Sequence, residues 1–226
     1  MGAMSTANAL PPPSLTVENL AVSRGGRALF AGLSFVIHAG MATALRGPNG
    51  AGKTSLLLAL AGALRPETGS ITYRERGEVA DPAPHIHLLL TTNAVKPRLT
   101  VGENLGFWRA VNGASGLGVD DALARVGLGG LDAIEAGHLS TGQQRRLALA
   151  RLLVSWRALW LLDEPTASLD RDGEAVVAAL IAEQAEKGGM VIVATHHDLT
   201  LPYGGLGPRA IGVRDGAAVV DEGPAP

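Results

Sequence analysis

The sequence predicts an α/β fold in which helices cover a mainly parallel β-sheet. Short apolar stretches typical of buried strands alternate along the chain with stretches of helical periodicity. A glycine-rich loop at 47–54 follows one of these strands and leads directly into a helix. The 226 residues, of which 46% are hydrophobic, suffice for one sizeable core. We therefore expect a single domain that spans residues 15–221.

The first half of the chain is expected to supply mostly strands. Order should begin near Leu15, after a disordered lead-in at 1–14 that contains three consecutive prolines. Alternating apolar and polar residues predict a strand from Leu15, and Arg24 precedes the two glycines of a turn. Further elements are predicted as strands at 33–37, 41–45 and 71–73 and as a helix at 55–63.

The second half is expected to be richer in helices, with a helical subdomain at about 93–140. Apolar runs predict strands at 158–162 and 190–195. Beside another apolar stretch, His85 and His87 are interpreted as marking a half-exposed strand edge rather than a metal site. The remaining elements are predicted as helices at 100–112, 120–126, 143–154 and 175–186, a hairpin at 211–220 and a tail at 222–226.

Composition and charge exclude several classes of function. The formal net charge of −2 and the pI near 6.3 provide no basic surface of the kind that binds nucleic acid. The sequence contains no cysteine, which rules out disulfides, thiolate metal sites and cysteine catalysis. No run of apolar residues is long enough to span a bilayer, and the first residues lack the pattern of a secretory signal.

The loop Gly47–Thr54 fits the pattern of a phosphate-binding loop, G-x-x-x-x-G-K-T. Its glycines allow backbone N–H groups to face phosphate oxygens, and the following helix adds its positive N-terminus. Lys53 provides a cation for the β- and γ-phosphates, and Thr54 offers a hydroxyl to Mg²⁺. A glycine-rich turn without a nucleotide is disfavoured by the strand–loop–helix context. The expected nucleotide-binding residues here are Gly47, Pro48, Asn49, Gly50, Ala51, Gly52, Lys53, Thr54 and Ser55.

Two carboxylates end the predicted strand 158–162. Asp163 is placed to hold Mg²⁺, and Glu164 is placed to polarise the water that attacks a phosphate. The alternative is that the pair only caps the turn before Pro165. The phosphate-binding loop elsewhere in the chain favours the catalytic interpretation.

A third motif, Leu139-Ser140-Thr141-Gly142-Gln143-Gln144, opens a predicted helix and forms a second possible anion site. With it, residues 15–220 resemble the ATP-binding subunits of ABC transporters. The resemblance implies a P-loop NTPase fold with a RecA-like core, an antiparallel β subdomain and a helical subdomain. It also implies ATP and Mg²⁺ as cofactors. The motif resembles the family's signature, with Thr141 where glycine is usual, and Ser140, Thr141, Gly142 and Gln143 would contact ATP bound to a second copy of the chain.

The resemblance assigns further roles to single residues. Asp170 matches the D-loop, which links the two ATP sites, and His196 matches the switch histidine in preference to its neighbour His197. Arg24 stands where the family often stacks an aromatic ring on adenine, and a guanidinium plane can stack in the same way. The Q-loop glutamine is missing.

Two residues occupy the place of the missing Q-loop glutamine. Thr92 aligns with the glutamine, and Asn93 is a candidate substitute. The family glutamine links Mg²⁺ to the membrane partner. How this chain would sense such a partner is therefore not explained by the family pattern.

Within the family, the block from Asn93 to Leu105 and the run Gln143-Gln144-Arg145-Arg146 resemble the ATP-binding subunit of the cytochrome c biogenesis system. This resemblance implies a motor for haem export, or for release of a haem-loaded chaperone. Its partners would be a multi-spanning membrane permease and cytochrome c maturation proteins, at the cytoplasmic face of the bacterial inner membrane. The block at 93–97 could instead be an ordinary loop, and Arg145 and Arg146 could be a solvated helix face.

Three other functions share part of this pattern. A drug, lipid or lipoprotein exporter would share every nucleotide-binding residue, so only the partner separates it from the cytochrome c system. A non-transport ABC ATPase acting on DNA or ribosomes is disfavoured by the weak charge, the single copy of the motifs and the lack of a heptad-repeat insertion. A pure nucleotide-binding module is disfavoured because Glu164 is present.

Overall fold

Two β-sheets form the framework of the protein. A computed structural model describes residues 10–195, 210–214 and 217–221. The strands of the larger sheet are β3 (Ala42–Arg46), β6 (Ile86–Leu89), β7 (Leu159–Asp163), β8 (Met190–Ala194), β9 (Ala210–Arg214) and β10 (Ala217–Asp221). They lie in the order β10–β9–β3–β8–β7–β6, and all neighbours are parallel except the hairpin β9–β10. The predicted mainly parallel sheet and the C-terminal hairpin are thus confirmed.

The smaller sheet is antiparallel and has the order β2–β1–β4–β5. Its strands are β1 (Ser14–Arg24), β2 (Arg27–His38), β4 (Thr68–Glu75) and β5 (Glu78–Ala80). β1 and β2 meet at a two-residue turn in which both glycines adopt the left-handed conformation, with φ of 60° and 77°. β2 is longer than predicted from the sequence because its N-terminal half continues the pairing with β1 up to this turn.

The described residues form five α-helices: α1 (Lys53–Leu60), α2 (Val101–Asn112), α3 (Val119–Arg125), α4 (Thr141–Leu153) and α5 (Arg171–Glu186). α2 begins at a capping box, in which the Thr100 hydroxyl accepts from the Glu103 N–H at 3.1 Å and Glu103 Oε2 accepts from the Thr100 N–H at 2.8 Å. α4 and α5 begin earlier than predicted because Ser140 and Asp170 cap them. Among the described residues, no helix has the length and apolar character needed to cross a bilayer.

The hydrophobic core lies on both faces of the six-stranded sheet. Along β7, Leu159 and Leu161 pack toward the smaller sheet and α1, whereas Trp160 and Leu162 pack toward α2, α3, α4 and α5. Every residue of β7 and of β8 is buried. Continuous apolar runs are expected for strands of a parallel sheet covered on both faces.

The edge strand β6 corrects one expectation from the sequence. His87 is only 4% exposed, and its Nε2 lies 2.9 Å from the Ser155 carbonyl oxygen. The half-exposed interpretation is therefore wrong for His87, because the segment after α4 covers this face of the strand. His85 is partly exposed, and its Nδ1 lies 3.0 Å from Glu75 Oε2.

Lowering the pH should destabilise the folded protein through His87. Burial lowers the pKa of His87 from 6.5 to about 4; the Ser155 carbonyl opposes the shift, and the charges of Arg151 and Arg157 add to it. Because the pKa is lower in the folded state, the unfolded chain takes up the proton first. The contribution of the neutral His87 to the free energy of unfolding is fully present above pH 6.5. About 3 kcal/mol of that free energy is lost as the pH falls toward 4.

Urea denaturation at pH 7.5, 6, 5 and 4 would measure this loss in the wild-type chain and in His87→Gln. The glutamine amide can still donate to the Ser155 carbonyl but does not titrate. We expect the wild type to lose stability more steeply between pH 6.5 and 4 than the variant. Parallel pH profiles would contradict the assignment to His87.

Candidate functional site

A glycine-rich loop joins the carboxyl end of β3 to α1. Gly47 has φ 153°, and a Cβ there would lie 2.2 Å from the Val213 carbonyl oxygen. Gly52 is the N-cap of α1 with φ 107°, where a Cβ would lie 3.0 Å from Leu29 Cβ. Only glycine fits such positive φ values and close contacts without strain. These glycines hold the loop so that the N-terminus of α1 faces a cavity.

Lys53, the first residue of α1, folds back over this loop. Its Nζ donates to the carbonyl oxygens of Gly47 at 2.7 Å and Pro48 at 3.2 Å, and the side chain is 7% exposed. An ammonium group buried beside a helix N-terminus is a strong site for anionic oxygen atoms. The geometry therefore suits the phosphate-binding role expected from the sequence.

Thr54 connects the loop to the end of β7. Its Oγ1 donates to Asp163 Oδ2 at 2.7 Å, across 109 positions of sequence. Burial raises the pKa of Asp163 most strongly, and Glu164 adds to this, while Thr54, Lys53 and Arg145 lower it. The hydroxyl and carboxylate oxygens are hard donors of the kind that Mg²⁺ prefers. Within the described residues, no group of three or more His, Asp or Glu side chains is arranged to hold a metal ion.

Glu164 follows Asp163 in an unusual backbone conformation, with φ 46°. Its N–H donates to the Ala194 carbonyl oxygen at the end of β8, at 2.8 Å. A non-glycine residue in the left-handed region is strained, and such strain often marks a functional residue. The turn places Glu164 on the wall of the cavity rather than along the strand direction.

The cavity at this edge of the sheet has a volume of about 470 Å³. It brings together residues from the first hairpin, the phosphate-binding loop and the β7 carboxylates. Arg24, the predicted adenine contact, lines it. The lining residues are Arg24, Leu29, Asn49, Gly50, Gly52, Lys53, Thr54, Ser55, Thr91, Asp163 and Glu164.

The residues that occupy the Q-loop position have different surroundings from one another. Thr91 lines the cavity, whereas Thr92 is exposed and is not part of the lining. Asn93 Oδ1 accepts a hydrogen bond from Arg145 Nη1 at 3.0 Å. The predicted switch residue His196 and its neighbour His197 lie outside the described residues.

The signature-like motif lies at the start of α4 and does not line the cavity of its own chain. Ser140 is the N-cap: its Oγ accepts from the Gln143 N–H at 3.3 Å, and Gln143 Oε1 accepts from the Ser140 N–H at 2.9 Å. Ser140 and Thr141 are exposed. The helix start is therefore accessible to a partner molecule.

The D-loop candidate contacts this same helix start. Asp170 Oδ1 accepts from Arg146 Nη2 at 2.8 Å and from the Gly173 N–H at 2.9 Å. These contacts, with the Gly173 N–H the largest, hold the pKa of the Asp170 carboxyl below its usual value. Gly142 lies close to the same turn, since a Cβ there would stand 3.0 Å from the Ser168 carbonyl oxygen.

Arg145 is a residue whose importance the sequence interpretation missed. Its side chain is only 1% exposed, so the alternative interpretation that was left open, a solvated helix face, is wrong for Arg145. Arg146 is also largely covered and is paired with Asp170. A signal was present in the sequence: residue 145 shares helical spacing with the apolar Leu149 and Leu152 and therefore lies on the buried face of α4.

Comparison with known proteins identifies the family of this chain. Residues 30–167 match the family described as ABC transporter. The chain is 46% identical over 193 residues to a protein of Agrobacterium fabrum named "Cytochrome c biogenesis ATP-binding export protein CcmA". That match covers 83% of this chain and 91% of the relative. A protein of the same name from Mesorhizobium japonicum is 48% identical over 191 residues, covering 84% and 93%.

Solved structures agree with the fold. A putative ABC transporter ATP-binding protein from Pyrococcus furiosus has a TM-score of 0.73 and 27% identity, and the match covers 83% of this chain and 93% of that one. A bacterial Atm1-family ABC exporter with ATP bound has a TM-score of 0.75 and 25% identity, over 93% of this chain and 38% of that one. The chain therefore belongs to the ABC transporter family as an ATP-binding subunit with ATPase activity, among relatives named cytochrome c biogenesis ATP-binding export protein CcmA.

Proposed function

We propose that this chain hydrolyses ATP to drive a membrane complex in the maturation of c-type cytochromes. The work would be haem export or the release of a haem-loaded chaperone. The names of relatives at 46% and 48% identity support this function. The observation that carries the ATPase chemistry is the junction of Thr54 with Asp163 beside Glu164, on the wall of one cavity.

The residues divide the reaction between them. Lys53 binds and neutralises the β- and γ-phosphate oxygens, and the loop 47–52 holds them with backbone N–H groups. Thr54 and Asp163 would hold Mg²⁺, which supplies charge neutralisation to the phosphates when bound. Glu164 polarises a water whose oxygen attacks the γ-phosphorus. The bond to the β-phosphate oxygen breaks, and ADP and phosphate form.

A second copy of the chain would complete each site. In a head-to-tail dimer, the exposed start of α4 in one copy would face ATP held by the other. The positive helix N-terminus and the accessible Ser140 suit the γ-phosphate, and Thr141, Gly142 and Gln143 would border it. Asp170, tied to α4 through Arg146, would communicate between the two sites.

The remaining assignments concern the edges of the site. Arg24 would stack its guanidinium plane on adenine, which its place on the cavity wall supports. His196 would hydrogen-bond a γ-phosphate oxygen. Asn93, rather than the exposed Thr92, would take the place of the Q-loop glutamine. It would act through its hydrogen bond to Arg145 and not by a contact inside the cavity. The helices between residues 93 and 140 would form the helical subdomain.

The proposed partners follow from the same function. They are a multi-spanning membrane permease and cytochrome c maturation proteins, with the chain at the cytoplasmic face of the bacterial inner membrane. No nucleic acid partner is proposed, since the net charge is −2. The name of the relatives, which specifies export, supports a membrane complex.

A co-purification experiment tests this function. Tagged Glu164→Gln chain, expected to hold ATP and stay in the closed dimer, would be expressed in its native host, and gently solubilised complexes would be analysed by mass spectrometry. We expect enrichment of cytochrome c maturation proteins over a Lys53→Ala control, in which ATP binding is weakened. Enrichment of a drug, lipid or lipoprotein permease instead would refute the cytochrome c assignment and leave the ATPase assignment intact.

A further inference from the structure

Arg145 is a fully buried cation that contacts the turn carrying the proposed catalytic carboxylate, Glu164. It lies in the second turn of α4, one turn after Thr141. Its guanidinium donates five hydrogen bonds, none of them to a carboxylate. The acceptors are the carbonyl oxygens of Leu90 at 2.7 Å, Asp163 at 2.8 Å, Glu164 at 2.7 Å and Pro165 at 3.2 Å, and Asn93 Oδ1 at 3.0 Å.

Three of these acceptors are consecutive residues at the end of β7. One nitrogen, Nη2, binds both the Asp163 and the Glu164 carbonyl oxygens, and Nε binds that of Pro165. This is the turn in which Glu164 has the strained φ of 46°. A strained conformation persists only where its surroundings hold it. The guanidinium fork is one of the groups that hold this turn.

The other two acceptors belong to a different loop, at residues 90–93. Both the Leu90 carbonyl and the Asn93 side chain accept from Nη1. Thr91, between them, lines the nucleotide cavity. The segment then leads through the exposed Thr92 toward α2. One guanidinium group therefore joins this loop to the strand end that carries Glu164.

The carboxylates near Arg145 favour the charged form of its guanidinium group. Burial lowers the pKa of Arg145, and the carboxylates of Asp163 and Glu164 oppose that shift. An arginine retains its charge in such surroundings, because its intrinsic pKa is far above neutrality. The cation therefore lies close to both carboxylates of the site, with their backbone carbonyls as its ligands, although it is not among the residues that line the nucleotide cavity.

We propose that Arg145 is a positioning residue for ATP hydrolysis, which holds Glu164 in place and makes its position depend on the loop at 90–93. The inference rests on the proposed role of Glu164. A movement of the loop at Asn93 or Leu90 pulls on the same guanidinium that holds the Glu164 turn. Docking of a partner near the exposed Thr92 would in this way reach the catalytic carboxylate without any side chain of the loop touching Mg²⁺.

The chain supplies a matched control on the same helix. Arg151 is 7% exposed, donates from Nη2 to the Leu88 carbonyl oxygen at 2.7 Å, and stacks 4.6 Å from the Trp108 ring centre. It is a buried arginine of α4 bonded to a strand carbonyl, as Arg145 is, but it has no hydrogen bond to the Glu164 turn among the described contacts. Loss of Arg151 therefore reports the cost of removing a buried arginine without disturbing the catalytic turn.

The test compares Arg145→Gln, Arg145→Lys and Arg151→Gln in the full chain assembled with its membrane partner. We expect Arg145→Gln to lower kcat at least about tenfold while the KM for ATP changes less than about threefold, because the effect is on the positioned carboxylate and not on phosphate binding. Lysine should not restore kcat, since it lacks the planar fork that reaches both loops. Arg151→Gln should keep kcat within about threefold of wild type even where its melting temperature falls.

Two results would overturn the proposal. One is a folded Arg145→Gln protein with kcat within about threefold of wild type. The other is an equal loss of kcat in the Arg145 and Arg151 variants, which would indicate a general packing effect. Glu164→Gln is measured in parallel, because normal turnover there would refute the proposed catalytic role of Glu164, on which this inference rests, whereas a normal Arg145→Gln beside an inactive Glu164→Gln would refute the inference alone.

Asn93→Ala keeps the proposal testable if Arg145→Gln does not accumulate as folded protein. This change removes one acceptor and leaves the buried cation and its four carbonyl ligands in place. We expect Asn93→Ala to lower kcat several-fold at unchanged KM. When Arg145→Lys is already present, Asn93→Ala should lower kcat much less, because the two residues act through one contact. Unchanged kcat in Asn93→Ala would refute the link between the loop and Glu164.

Discussion

Replacement of Glu164 by glutamine should lower ATP turnover at least about a hundredfold and leave ATP binding intact. The amide has nearly the same shape as the carboxylate, but it cannot accept the proton of the attacking water. Lys53, Thr54 and Asp163 remain in place, so the phosphate contacts persist. Steady-state phosphate release gives the turnover, and binding of a fluorescent ATP analogue gives the affinity.

The structure offers a control for the loss of charge. Glu186, at the exposed end of α5, can be changed to glutamine with the same change in net charge, and turnover should stay at the wild-type level. The backbone of Glu164 keeps its hydrogen bonds to Ala194 and Arg145 in the glutamine variant, so its melting temperature should change little. Near-normal turnover of Glu164→Gln would remove Glu164 from the catalytic role.

Local patterns explain why the nucleotide cavity could be predicted from the sequence. The loop at 47–54 carries its own chemistry in consecutive residues, and the carboxylates Asp163 and Glu164 end a continuous apolar strand. Carboxyl ends of neighbouring parallel strands meet at one edge of a sheet. The pairing of β3 with β8 and of β8 with β7 therefore brings the two motifs together, and Thr54 contacts Asp163 as a result.

Arg145 and His87 show where the sequence interpretation failed. Charged and polar side chains are usually exposed, so the half-exposed position expected for His87 and the solvated alternative left open for Arg145 followed their chemistry and not their position. Arg145 is buried because its ligands come from two loops distant in sequence, at 90–93 and 163–165. His87 is buried because residues after α4 cover the edge strand, which the sequence interpretation expected to be half-exposed. The helical spacing of Arg145 with Leu149 and Leu152 indicates that it is buried, but the hydrogen-bond partners of both side chains depend on tertiary structure.

The same reasoning applies to the signature-like motif. The capping box of Ser140 and Gln143 follows from the spacing of the two residues, and it fixes the start of α4 at Thr141. The contact of this helix start with the D-loop, through Arg146 and Asp170, required the fold. A local rule thus predicted the anion site, whereas its connection to the second half of the chain became visible only in three dimensions.

The second large effect is expected from Lys53→Ala, which should weaken ATP binding by roughly ten- to a hundredfold. A hydrogen bond to a charged group contributes about 1.5–3 kcal/mol, and each 1.4 kcal/mol corresponds to a factor of ten in affinity. The substitution also removes the bonds from Nζ to the carbonyls of Gly47 and Pro48, so the loop loses part of its preorganisation. The first loss removes a contact with the bound phosphates, and the second leaves the loop less ordered before ATP binds, so both weaken ATP binding.

Lys187→Ala provides the matched control for Lys53→Ala, because Lys187 is an exposed lysine just after α5 that lies 4.0 Å from Glu183. Titration with a fluorescent ATP analogue should show wild-type affinity for Lys187→Ala and a large loss for Lys53→Ala. Tight retention of ATP by Lys53→Ala would mean that the backbone N–H groups of the loop bind the phosphates without the lysine. The phosphate-binding role of Lys53 would then be wrong, while the contact between Thr54 and Asp163 would still mark the edge of the cavity where the γ-phosphate is expected.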